Sequence, residues 1–108
     1  MKIINIHRSI HPGELVHLLQ QKLNPLFKEQ RHSEILFKTE IKDGIVEISE
    51  PGIYEGFLFR IEVKGDELLI TRSEHYVDDV NSLTVESILN TIFEELAQDG
   101  NVTFVLEG

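Results

Sequence analysis

The fold is decided by residues 53–72, whose sequence is IYEGFLFRIEVKGDELLITR. Every second residue from 57 to 63 is apolar, which is the period of a strand with one buried face. Gly65-Asp66 then predicts a two-residue hairpin turn, because glycine tolerates the positive φ that such turns require. One register keeps the apolar side chains of both strands on one face. It pairs Lys64 with Glu67, Val63 with Leu68 and Ile61 with Ile70.

Two earlier segments have the same two-residue period. Residues 35–42 and the stretch that starts at Ile45 flank Asp43-Gly44, the strongest short hairpin signal in the chain. A two-residue turn places Thr39, Ile41, Val46 and Ile48 together on the core face.

The connection into the central strand is predicted to be short. Pro51-Gly52 favours a type II turn, in which proline presets φ and glycine takes the positive φ. The strand at 53–64 follows directly, and this register sets Ile45 opposite Leu58.

Two amphipathic helices are predicted. The first covers about 13–23 and ends before Pro25, because proline disfavours the α conformation in the residue that precedes it. The second is capped by Ser82 or Thr84 and closes at Gly100.

These elements predict a single α+β domain over residues 1–108. It is a two-layer sandwich of an antiparallel sheet of about five strands and two helices on one face of that sheet. The four consecutive strands between residues 35 and 73 form a meander. If they are numbered 1 to 4 and residues 102–106 form strand 5, the expected order of the sheet is 5-1-2-3-4. Residues 1–10 form a short strand or an arm that lies on the sheet.

Composition limits the classes of function. The 108 residues carry a net charge of −9 and no cysteine, so disulfides and thiolate chemistry are excluded. An acidic chain repels phosphate groups, so we expect neither nucleic acid nor membrane as a partner. With no apolar run of signal-peptide or membrane-spanning length, a cytoplasmic protein is expected.

The charge is unevenly distributed along the chain. Residues 1–42 hold seven of the ten Lys and Arg and four of the nineteen Asp and Glu, which leaves three and fifteen for residues 43–108. Such an acidic half is typical of a solvated surface, or of a surface that binds a basic partner.

Catalytic and metal motifs are not recognised. His11 and His17 do not share one face of a helix, as the two histidines of a zinc-binding helix do. No serine has the glycine-flanked elbow of hydrolases. We therefore expect no metal, no other cofactor and no enzymatic activity.

Two surfaces are candidates for binding. One is an apolar patch on the outer face of the sheet, formed by Ile45, Leu58 and Leu69, where an exposed sheet face is usually more polar. The N-terminal arm, a second copy or another partner is expected to cover it.

The other candidate is the polar segment at 74–82, which lies in a connection where binding residues are often found. Its candidate residues are Glu74, His75, Tyr76, Asp78 and Asp79.

The sequence therefore favours a small acidic interaction protein that engages a basic protein partner, with inhibitors and immunity-type factors as examples of the class. The alternatives are a small-molecule or metal-dependent function at the 74–82 end of the sheet, and a structural subunit of a homodimer. A deep pocket lined by residues 74–82 would favour the small-molecule function, and a flat acidic surface would favour protein binding.

Overall fold

The computed structural model of the protein describes residues 1–107. The strands are β1 (Lys2–Asn5), β2 (Lys38–Lys42), β3 (Ile45–Ser49), β4 (Phe57–Lys64), β5 (Glu67–Arg72) and β6 (Thr103–Leu106). The helices are α1 (Pro12–Arg31) and α2 (Val80–Leu96), and 3-10 turns occupy Glu74–Tyr76 and Gln98–Gly100. Within these residues, neither helix is long and apolar enough to cross a membrane.

The strands form one antiparallel sheet in the order β2-β3-β4-β5-β1-β6. The predicted two-layer α+β class is confirmed, but the predicted order of the sheet is wrong, because the last strand lies at the far edge beside β1. The place beside β2 is occupied by side chains of α1: the Gln20 amide donates to the carbonyl of Thr39 at 3.0 Å. The apolar segment at the N-terminus is a sixth strand that joins β5 to β6.

Both tight hairpins have the predicted register. Lys64 pairs with Glu67 across the Gly65-Asp66 turn, and Lys42 pairs with Ile45 across the Asp43-Gly44 turn. Most of the residues that the alternation assigns to the inner face are therefore buried under the helices, whereas Ile41 near the end of β2 is 44% exposed. One cluster of buried side chains contains Phe27 from α1, Phe59 from β4 and Phe93 from α2.

The connection from β3 to β4 is longer than predicted: a turn does form at Pro51-Gly52, but it is not of type II, because Gly52 does not have a positive φ. The carbonyl of Glu50 accepts hydrogen bonds from the amides of residues 53 and 54, and the positive φ of 74° belongs to Gly56. Tyr54 is buried beside α2 instead of continuing the strand. Strand β4 consequently begins at Phe57, and the register changes by a bulge.

Helix α1 continues past Pro25, where the sequence predicts its end. Proline removes one hydrogen bond from the helix, which would leave the carbonyl of Gln21 without its amide. Residues 21 and 25 are both exposed, so water can bind this carbonyl. The following turn is held by Phe27, whose ring contacts Phe37 edge-on with a 4.8 Å separation of centroids.

Candidate functional site

The outer face of the sheet does not carry the predicted apolar patch. Leu58 is completely buried because the bulge opposite Ser49 turns it towards the core, so its assignment to the outer face is wrong. Ile45 and Leu69 do lie on the outer face, half-buried. They are not adjacent, since β4 lies between them and carries Arg60 and Glu62 on this face. The N-terminal segment does not cover this face either, because it is strand β1.

Charged side chains occupy the centre of the outer face. Glu47 is only 6% exposed and lies 3.2 Å from the Arg60 guanidinium and 3.4 Å from the Lys42 ammonium. Lys42 also contacts Glu40, so it bridges the two carboxylates that face each other across the β2–β3 pair. Although desolvation opposes the shift, hydrogen bonds from Lys38 and Lys42 hold the pKa of Glu40 below its ordinary 4.5. The charged side chains at the centre of this face therefore neutralise one another.

The predicted binding segment at 74–82 is organised by two tyrosines. The hydroxyl of Tyr54 donates to the carboxylate of Asp79 at 2.8 Å and accepts from the Asn81 amide at 3.1 Å. The same carboxylate oxygen accepts from the backbone amide of Ser82 at 2.9 Å. Asp79 is therefore the N-cap of α2, and the predicted caps Ser82 and Thr84 lie inside the helix.

Tyr76 has a similar structural role. Its hydroxyl accepts from the backbone amide of Glu55 at 2.7 Å and its ring lies edge-on to Tyr54 with centroids 4.8 Å apart. These bonds attach the 50–56 connection to the start of α2. Of the five candidates in this segment, Tyr76 and Asp79 thus serve the fold, while the other three are exposed.

Removing the hydroxyl of Tyr54 should weaken this attachment. We expect Tyr54→Phe to lower the free energy of unfolding by about 1–2 kcal/mol, because a hydrogen bond to a carboxylate is lost. Tyr76→Phe is the matched control for loss of one hydroxyl, and we expect a smaller effect since its partners are uncharged. Urea unfolding at pH 7 measures both. A Tyr54→Phe protein as stable as the wild type would contradict this role.

The same variant has a pH dependence. Burial, together with the Asp79 carboxylate, raises the pKa of Tyr54 above its ordinary value of 10.0. The unfolded chain then loses this proton at a lower pH than the folded protein, so the contribution of Tyr54 to stability decreases as the pH rises above 10.0. We expect the difference in stability between wild type and Tyr54→Phe to narrow in that range.

A groove lies across the end of the sheet beside this segment. Strand β1 starts opposite Ile70, so β5 continues past it and its last residues have no strand neighbour on that side. The resulting groove has a volume of about 710 Å³. Its walls include Lys2, Phe57, Arg72, Glu74, His75 and Glu86. Glu74 and His75 thus both line this groove, and His75 also lines an adjoining recess.

The basic side chains of the groove already have hydrogen-bond or ion-pair partners within the protein. The guanidinium of Arg72 lies 3.4 Å from the Glu86 carboxylate, and the ammonium of Lys2 donates to the Asn90 side chain at 2.9 Å. Within residues 1–107, no group of three or more His, Asp and Glu side chains could hold a metal ion. The arrangement offers a broad polar recess with carboxylates on its walls.

Exposed apolar side chains continue from this groove onto the start of α2. Ile53 and Val80 are each 53% exposed, Leu83 is 44% exposed and Val77 is 37% exposed. The bonds of Tyr54 and Tyr76 bring the connection and the helix start to one corner of the molecule. We call this corner the loop-end surface. It comprises Ile53, Glu55, Glu74, Val77, Asp78, Val80 and Leu83.

The carboxylates of the loop-end surface are not paired with basic side chains in the described part of the chain. All three basic residues after position 43 pair with carboxylates elsewhere: Arg60 with Glu47, Lys64 with Glu62 and Arg72 with Glu86. Among residues 1–107, no basic side chain forms an ion pair with Glu55, Glu74 or Asp78.

The sequence prediction missed the apolar part of this surface. Val77, Val80 and Leu83 recur at intervals of three residues, and Leu83 does not fit the buried stripe of α2, so a signal was present in the spacing. Ile53 was assigned to a strand. No protein-family model matches the chain, and comparisons with curated proteins and with solved structures gave no significant match.

Proposed function

We propose that the protein is a non-catalytic interaction protein whose loop-end surface binds a basic amphipathic segment of a partner protein. The supporting observation is the combination of exposed apolar side chains with carboxylates that lack basic partners in residues 1–107. Apolar residues at the centre of such a surface supply contact area, and the carboxylates around them select a partner of opposite charge.

The end groove supports the same function. Glu74 and Glu86 lie on its walls, and Val77 connects it to the apolar corner. A lysine or arginine of the partner could enter this recess while the apolar face of the segment contacts Val80 and Leu83. The groove is broad, and its own cations are bound to Glu86 and Asn90, so it favours a protein side chain over a small anionic ligand.

A panel of labelled peptides tests this proposal. One peptide is a basic amphipathic helix, the second has the same apolar residues with acidic residues in place of basic ones, and the third is a scrambled version of the first. We expect the first to bind in fluorescence anisotropy and its affinity to fall as salt screens the carboxylates. Equal binding of all three peptides, or of none, would contradict the proposal.

Charge reversal locates the binding surface. We expect Asp78→Lys to weaken binding of the basic peptide by about tenfold, because a lysine would face the cations of the peptide. Asp66→Lys is the matched control, since it changes the net charge equally at the turn on the opposite end of β5. If both variants weaken binding to the same extent, the effect is one of net charge and the loop-end surface is not the site.

The natural partner can then be sought with the same pair of proteins. Wild type, Asp78→Lys and Asp66→Lys would be used to capture proteins from a native cell extract, followed by mass spectrometry. A partner of this surface is retained by wild type and Asp66→Lys and lost by Asp78→Lys, and it carries a basic segment.

A further inference from the structure

The two edges of the sheet differ in how they are protected. Edge strands expose unpaired backbone groups, and proteins commonly blunt them with charged residues, proline, or a covering element. Strand β2 has lysines at both ends and Glu40 at its centre. The side chain of Asn24 on α1 makes two hydrogen bonds with the backbone of Phe37 just before β2, at 2.8 and 3.0 Å. This edge therefore has charged residues and covering side chains that disfavour pairing with a further strand.

Strand β6 lacks this protection. It pairs with β1 on one side, and its other side is a free edge of the six-stranded sheet. Its sequence is Thr-Phe-Val-Leu, without charge or proline, and all four residues are exposed. Phe104 is 56% exposed, Val105 53% and Leu106 46%. A bulge in the pairing with β1 adds Val105 to the strand, which shortens the regular edge but places no charge there.

The helices also leave this part of the sheet uncovered. A helix is about 10 Å wide and strands lie about 4.8 Å apart, so two helices cover about four strands. Helix α1 packs on β2 and β3, and β6 extends beyond α2 at the other side. A groove of about 210 Å³ remains there between Phe93 of α2 and Phe104 of β6. Phe104 pairs with the buried Ile4 and therefore lies on the helix side of the sheet.

We infer that the free edge of β6 pairs antiparallel with β6 of a second copy. Because β6 is uncharged, two copies of the strand can approach without placing like charges opposite each other. A two-fold axis perpendicular to the sheet would join two six-stranded sheets into one and keep both helix layers on the same side. Phe104 of each copy would then lie next to the axis, where the two uncovered grooves meet.

The small size of the proposed contact indicates a weak dimer. Four residues of each copy and the two grooves form an interface smaller than the standard protein–protein interface, so we expect a dissociation constant of about 1–100 µM. Each copy has a net charge of −9, so the copies repel each other and added salt should strengthen the dimer. A dimer joined by ion pairs would respond to salt in the opposite direction.

Sedimentation equilibrium on the full chain, up to about 500 µM, tests the inference. We expect Phe104→Lys and Val105→Lys each to raise the dissociation constant about 10- to 100-fold, because an edge lysine would have to be desolvated on pairing. Leu36→Lys, at a residue 68% exposed before β2, changes the charge equally and should leave the dimer intact. Each lysine also reduces the net negative charge of both copies, so a weaker dimer cannot result from the change in net charge.

Hydrogen exchange provides a test that needs no variant. The amides of residues 103–106 should become more protected as the wild-type concentration rises through the dissociation constant. A protein that stays monomeric, a dimer that is indifferent to both lysines at β6, or a dimer without this protection would overturn the inference. The peptide binding proposed for the loop-end surface is measured with different variants, so failure of one of the two proposals would leave the other standing.

Discussion

Replacement of Leu58 by glutamate is expected to unfold the protein. The side chain of Leu58 is completely buried and belongs to the hydrophobic cluster between the sheet and the helices. A carboxylate at this position would lie in an apolar environment without a basic partner, and burial of an unpaired charge is among the most destabilising of substitutions. We expect a loss of more than about 4 kcal/mol, comparable with the total stability of many domains.

Circular dichroism and urea unfolding measure this effect. Leu36→Glu is the matched control: it makes the same chemical change at a leucine that is 68% exposed, and we expect it to change stability by less than about 0.5 kcal/mol. A Leu58→Glu protein with a native spectrum and a melt close to that of the wild type would show that Leu58 faces solvent. The bulge that turns it inward would then be incorrect.

Phe59→Ala should have the second-largest effect. The ring of Phe59 is fully buried and lies opposite Ile48 at the centre of the sheet. Truncation would remove its apolar contacts and leave a cavity, which typically costs about 3–5 kcal/mol. The side chain lies on the face that α1 and α2 cover, so relaxation of neighbours around the cavity is limited by packing from both layers.

Phe104→Ala is the matched control for this truncation. Phe104 is 56% exposed on the free edge strand, so we expect a loss below about 1 kcal/mol in the monomer. Urea unfolding at low protein concentration separates the two variants. If Phe104→Ala proved as destabilising as Phe59→Ala, the distinction between core and edge drawn for these two residues would be wrong.

The parts of the fold that could be predicted from sequence are those specified locally. The registers across Asp43-Gly44 and Gly65-Asp66 follow from the turn residues and the two-residue period, and both are confirmed. The 50–56 connection could not be predicted in this way, because its path depends on the bond from Tyr54 to Asp79, a contact across 25 residues. The same contact explains why Leu58 was assigned to the wrong face. With Tyr54 held at Asp79, β4 begins only at Phe57, and its register with β3 then changes by a bulge.

The helix prediction failed for a related reason. The rule that proline ends a helix considers the lost hydrogen bond, but here the freed carbonyl is exposed and the next turn gains the contact of Phe27 with Phe37. Strand β1 has four residues and no clear period, so its place between β5 and β6 depends on the partners available at that edge.

The candidate site was predictable only in part. Polar composition identified the segment that contains Glu74, His75 and Asp78, and these residues are exposed at the end of the sheet. Composition could not separate them from Tyr76 and Asp79, whose polar atoms are used within the fold. That separation requires the hydrogen bonds themselves.

The two hydrogen bonds of Asn24 bear on how far the proposed assembly could grow. The amide of this side chain presents one acceptor and one donor to the backbone of Phe37, as the peptide group of a neighbouring strand would. If two copies pair through β6 as proposed, the two β2 edges become the ends of the joined sheet, and side chains of α1 occupy backbone groups of Phe37 and Thr39 there. In that dimer, these hydrogen bonds would oppose addition of further copies and so disfavour extension of the sheet into a fibre.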